Sequence, residues 1–197
     1  MVHFRPERYL SPASVAEAIE IIAKDRDASR PIAGGTTLYE LGKKGMIPKV
    51  KTLIDLRALK LDYIEKEAEY FRIGAMTTLT SLQLSGICDE PGLGALRDVL
   101  TKFTPIQIKN LATLGGEVCA AVPFLDLPPV LISLDATLKI QGPKGDRMVP
   151  VEGFFLDFFL GFIFGFVLYF GIFWHTYLYY FVIALRGYYN RQVFCLL

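Results

Sequence analysis

Two short glycine pairs are the residues best suited to chemistry in this 197-residue chain: Ala33-Gly34-Gly35-Thr36-Thr37 and Ala112-Thr113-Leu114-Gly115-Gly116. A glycine lacks the Cβ that keeps other backbones away from a ligand, so adjacent glycines let consecutive N–H groups turn toward an anion such as a pyrophosphate. Each pair is flanked by a hydroxyl residue that can add a donor. Each also lies between an apolar run and a helix-like run. Two such loops make a dinucleotide with a central diphosphate the first hypothesis, although a single glycine pair is more often a plain turn.

Other signatures are missing. No G-x-G-x-x-G follows a strand, no G-x-x-x-x-G-K-[ST] occurs, and neither G-x-S-x-G nor H-E-x-x-H is present. Only His3 and His175 are available, which argues against a histidine-based acid, base or metal site. Cys88, Cys119 and Cys195 form no C-x-x-C pair, so no disulfide framework or metal site is expected, and Cys88 and Cys119 read as buried thiols. No catalytic side chain is assigned.

The elements that must position the loops alternate between α and β. Ser11-Pro12 reads as a helix start, with Val15, Ala18, Ile19 and Ile22 as its buried stripe. Pro31-Ile32-Ala33 leads as a strand into the first glycine pair, and Thr36 to Leu41 follow as a short helix stopped by Gly42, with Tyr39 as core. Thr52-Leu53-Ile54-Asp55-Leu56 and Tyr70-Phe71-Arg72-Ile73-Gly74-Ala75 read as strands, with Leu61-Asp62-Tyr63-Ile64 pairing nearby. Thr78 caps a helix carrying Leu79 and Leu82. A longer helix after Pro91 aligns Leu93, Leu96, Leu100 and Phe103. Asp126 caps the run at Leu127, and Ala136 to Ile140 and Arg147 to Val149 flank a hairpin turn.

The formal charge of +1 and the absence of a basic run interleaved with aromatics give no reason to expect nucleic acid. Scattered cysteines and an N-terminus without an apolar stretch suggest a cytoplasmic protein. Composition changes sharply near Asp157. All 20 acidic residues lie at or before it, and only Arg186 and Arg191 carry charge beyond it. Residues 158–185 are uncharged and crowded with aromatics. Two readings of 158–197 stay open: a transmembrane helix, for which about 18 apolar residues suffice, or an aberrant tail produced by a truncation or a shifted reading frame.

Over residues 4–159 the chain resembles the FAD-binding, or medium, subunit of the molybdenum hydroxylases, of the carbon monoxide dehydrogenase and xanthine dehydrogenase type. The resemblance rests on Ala33-Gly34-Gly35-Thr36, Leu53-Ile54-Asp55-Leu56, Ile73-Gly74-Ala75 with Thr77-Thr78-Leu79, and Gln107-Ile108-Lys109-Asn110-Leu111-Ala112-Thr113-Leu114-Gly115-Gly116. Asp126-Leu127-Pro128-Pro129, Leu134-Asp135-Ala136 and Val149-Pro150-Val151-Glu152-Gly153-Phe154-Phe155 continue it in order. It implies an α+β fold: a PCMH-type FAD-binding domain over 1–157, made of two α/β subdomains split near 57–60, with the apolar tail after it.

It further implies FAD as cofactor. The positions carried over as contacts are Ile32, Ala33, Gly34, Gly35, Thr36, Thr37 and Leu38, then Thr113, Leu114, Gly115 and Gly116, with Asp126 near the nucleotide end. An iron–sulfur subunit and a molybdopterin subunit are the implied partners, and an external acceptor takes the electrons. Two other functional readings stand beside this one: a truncated remnant without function, and a flavoprotein tethered to the membrane through residues 158–185. Several positions depart from the family pattern. Glu117 replaces the usual asparagine, Lys109 stands where arginine is more usual, and residues 120–124 lack small polar side chains. A carboxylate at Glu117 pointing inward is expected to weaken diphosphate binding.

Overall fold

The computed structural model describes residues 5–45, 50–102, 105–121, 125–155, 182–184 and 194–196. The first part of the chain runs β1 (Arg8–Leu10), α1 (Val15–Lys24), β2 (Ser29–Ile32), α2 (Thr36–Lys43) and β3 (Thr52–Asp55). These strands form a parallel sheet in the order β1-β3-β2. Helical crossovers cover such a sheet, and all four residues of its central strand β3 are buried accordingly.

The helix start lies three residues beyond Ser11. Ser14 is the N-cap of α1: its hydroxyl accepts from the Glu17 amide at 3.1 Å, while the Glu17 carboxylate accepts from the Ala13 amide at 2.7 Å. This Ser-x-x-Glu capping box satisfies two amides at once and outcompetes Ser11-Pro12. Ala18 and Ile22 are buried as expected, with Val15 and Ile19 packed alongside. Gly42 does not stop α2 but is buried inside it. Tyr39, expected in the core, is 68% exposed.

The second part contains β4 (Ile64–Lys66), β5 (Phe71–Gly74), α3 (Leu79–Leu84), α4 (Gly94–Lys102), α5 (Ile106–Lys109), α6 (Leu114–Ala120), α7 (Leu127–Ser133), β6 (Thr137–Gly142), β7 (Gly145–Pro150) and α8 (Val151–Phe154). β4 pairs antiparallel with β5, and β6 with β7 as a hairpin. Two short C-terminal strands, β8 (Val182–Ala184) and β9 (Phe194–Leu196), complete the second sheet, β9 lying parallel between β5 and β6. Thr78 caps α3 as expected, its hydroxyl accepting from the Ser81 amide at 3.0 Å. Leu93, Leu96 and Leu100 are buried, whereas Phe103 lies outside the described residues. One apolar cluster runs from Ala18 and Ile54 of the first part through Leu79, Leu96, Leu114, Leu131 and Leu138 of the second.

The membrane and shifted-frame readings of the tail fall almost wholly outside the described residues. Among the described residues no helix is long and apolar enough to cross a membrane.

Candidate cofactor site

The first glycine loop leaves the carboxyl end of a parallel strand and opens a helix, the place where open α/β sheets take up ligands. Ile32, the last residue of β2, is held opposite Asp55, and its carbonyl accepts from the Leu56 amide at 3.1 Å. The chain then turns at Gly34 and Gly35. Gly35 sits at φ +74° as the N-cap of α2 and provides no side chain to cap it. A left-handed residue suits glycine because no Cβ crowds the carbonyl.

The consequence is a run of free donors. Among the described residues, the amides of Ala33, Gly34, Gly35, Thr36, Thr37 and Leu38 donate to no protein acceptor, and the first bond of the helix is Tyr39 N–H to Gly35 O at 2.9 Å. All six residues are half-buried. A helix N-terminus carries partial positive charge, and consecutive amides facing one concavity form an anion nest. These residues fit a diphosphate.

The second glycine loop is built differently. Thr113 caps α6, so Gly115 and Gly116 lie in the first turn of that helix, and the hydroxyl of Thr113 accepts from the Gly116 amide at 3.0 Å. The Leu114 amide donates to Thr77 O at 2.9 Å, Gly115 to Ala75 O at 3.0 Å and Glu117 to Thr113 O at 2.9 Å. The amides of Leu114, Gly115, Gly116 and Glu117 are therefore committed inside the protein, which corrects the expectation that both glycine pairs turn free N–H groups outward. The loop is instead stitched to the connection between β5 and α3.

The two loops meet. A Cβ on Gly34 would stand 1.8 Å from Leu111 O and 3.2 Å from Ala112 Cα, so main chain rests on main chain there. The glycine at 34 is needed for this contact between chain segments. The free amides come from the loop that the contact holds in place.

Glu117 lies in the first turn of α6 at 4% exposure, and its Oε2 has no hydrogen-bond partner. Burial, and secondarily the nearby Asp126, push this carboxyl up to about 7, so it is largely neutral in mildly acidic solution. Asp126 is exposed at the N-cap position of α7 but makes no capping hydrogen bond, which corrects its expected role there and leaves its carboxylate open. Lys109 is buried, donating to Gln83 Oε1 at 2.5 Å and Leu100 O at 3.2 Å. Its charge braces α3, α4 and α5.

A further group near the first loop escapes sequence inspection. Asp55, opposite Ile32, accepts from Tyr9 at 2.6 Å and from two guanidinium nitrogens of Arg57, at 2.6 Å from Nη2 to Oδ2 and 3.0 Å from Nε to Oδ1. The Arg57 guanidinium above all, helped by the Tyr9 hydroxyl, holds its carboxyl down to about 2 against an opposing cost of burial that is second only to Arg57. The acid closing an apolar strand was the one visible signal. Cys88 is a buried thiol pushed up to about 11 by burial, but Cys119, expected to be buried, is exposed. Among the described residues no group of three His, Cys, Asp or Glu side chains is placed to hold a metal ion.

The family described as FAD binding domain in molybdopterin dehydrogenase matches residues 3–161. The chain belongs to this family. The medium chain of carbon monoxide dehydrogenase from Hydrogenophaga pseudoflava is 32% identical over 149 residues, covering 75% of this chain and 51% of that protein. The xanthine dehydrogenase FAD-binding subunit of Escherichia coli O157:H7 is 32% identical over 151 residues, covering 74% and 50%.

Solved structures agree. Carbon monoxide dehydrogenase from Hydrogenophaga pseudoflava lacking the Mo-pyranopterin moiety superposes at a TM-score of 0.71 with 30% identity, over 77% of this chain and 53% of that one. Quinoline 2-oxidoreductase from Pseudomonas putida 86 gives 0.70 at 30% identity, over 76% and 52%. The α+β fold and FAD as the family's cofactor are thus shown. The chain spans about half the length of the relatives it matches.

Proposed function

We propose that this chain is the FAD-carrying, electron-transferring component of a molybdenum hydroxylase. An iron–sulfur subunit delivers electrons, a molybdopterin subunit oxidises the substrate, and an external acceptor receives the electrons. Bound FAD supplies the redox chemistry, because a flavin exchanges both single electrons and pairs. The protein's part is to bind and orient.

The observation that carries the reading is the run of six amides, Ala33 to Leu38 at the head of α2, that are free among the described residues. They would hold the diphosphate, with the hydroxyls of Thr36 and Thr37 beside them and residues 113–116 as the opposite wall. Asp126, uncommitted to its helix, suits the hydroxyls of a ribose. On this reading the domain, residues 1–157, divides near 57–60 into two subdomains with the cofactor between them, and the protein is cytoplasmic.

Titration of the full chain with FAD, followed by flavin fluorescence and absorbance, tests this. Binding at one FAD per chain is expected, with a rise in unfolding midpoint worth about 2.7 kcal/mol at a hundredfold excess over Kd. A folded chain that retains no FAD after exposure to excess cofactor overturns it.

A further inference from the structure

A buried carboxyl with an unpartnered oxygen is costly when ionised, and Glu117 is such a group, in the first turn of α6, which follows the Leu111–Ala112 main chain that rests on Gly34 and which the FAD reading makes the opposite wall of the cradle. It follows Gly116 directly, and its own amide is committed to Thr113 O at 2.9 Å. α7 packs against α6 and contributes Asp126 at its head, the charged group acting on Glu117 among the described residues; it is a second anion, which opposes ionisation. α6 itself carries no other charged residue. The Lys109 ammonium, the nearest cation in sequence, is engaged by Gln83 and Leu100 O.

We propose that Glu117 makes the cradle a proton-linked site, at which a dianionic dinucleotide binds tightly only while this carboxyl is neutral. The inference rests on the FAD reading above. Binding at a pH where Glu117 is ionised in the free protein then takes up one proton from solvent, which resides on the Glu117 carboxyl in the complex. The orphaned oxygen supports this, since among the described residues an ionised Glu117 would have no donor to its Oε2 and no counter-charge acting on it to offset the incoming phosphates. Burial raises the carboxyl to about 7, which puts the transition within reach of ordinary buffers.

FAD affinity of the full chain, measured by flavin fluorescence between about pH 6 and pH 8.5, tests the linkage. Affinity is expected to fall as pH rises above 7, approaching tenfold per pH unit while one proton is taken up. Glu117→Gln is expected to bind FAD with no such slope. Calorimetry of the unsubstituted chain in two buffers of different ionisation heat reads proton uptake directly, and does not depend on the variant folding. FAD binding with no pH slope and no proton uptake overturns the inference while leaving the FAD reading intact, as does a slope that survives in Glu117→Gln. Absence of FAD binding at every pH overturns both.

Discussion

At the scale of the single residue, Glu117 is the group whose surroundings contradict its chemistry. Burial raises its carboxyl from an ordinary 4.5 to about 7, so between those values the folded protein holds a proton that the unfolded chain has released. Stability from this source is complete below about pH 4.5 and is lost as pH rises through about 7. The shift corresponds to a loss of about 3 kcal/mol at most. Urea unfolding near pH 5 and near pH 8 is expected to show this decline in the unsubstituted chain. Glu117→Gln should remove most of it. An equal decline in the variant would place the titration elsewhere. The sequence reading identified Glu117 as a departure from the family pattern, but its burial depends on how α6 lies against α7, which no local pattern encodes.

At the scale of the element, the head of α2 is uncapped where α1, α3 and α6 are capped by Ser14, Thr78 and Thr113. A capping side chain is worth about 1 kcal/mol over alanine but only a few tenths over a glycine such as Gly35, so leaving α2 without one costs little stability and preserves donors for a ligand. Thr37→Asp tests this balance. An acid in the first turn is expected to stabilise the helix by about 0.3–1 kcal/mol while repelling the diphosphate. FAD affinity should therefore drop by about tenfold, equivalent to about 1.4 kcal/mol, with the unfolding midpoint unchanged or raised. Unaltered affinity would remove the amides of α2 from the site. Caps are partly readable in the sequence: Thr78 stands out, Ser14 is obscured by the Ser11-Pro12 start signal a few residues earlier, and Asp126 has the cap's residue type without making its hydrogen bond.

At the scale of the whole molecule, the site exists because two loops distant in sequence are pressed together. Gly34 meets the carbonyl of Leu111 without room for a Cβ, which would stand 1.8 Å from that oxygen. Gly34→Ala must push the loops apart. The expected cost is about 3 kcal/mol of stability, the upper end for overpacking, together with loss of FAD binding. Urea unfolding and flavin fluorescence measure the two effects. A stability equal to that of the unsubstituted chain would show that the contact is dispensable. The common apolar cluster explains why the loops can be held so closely, since Ile54 at the end of the first part and Leu79 and Leu114 in the second share one core.

The amino-acid sequence by itself determined much of the order of strands and helices, the glycine turns and the family, because these follow from local backbone preference, apolar periodicity and short motifs in register; it showed neither the short edge strand β1 nor the two C-terminal strands, which depend on partners distant in the chain. Only the tertiary structure decided which amides remain free. Leu114, Gly115 and Gly116 look as available in the sequence as Ala33, Gly34 and Gly35, yet their N–H groups are taken by Thr77, Ala75 and Thr113. Hydrogen-bond acceptors are assigned by which segments pack together. The same packing placed Asp55 between Tyr9 and Arg57, exposed Tyr39 and Cys119, and buried Glu117.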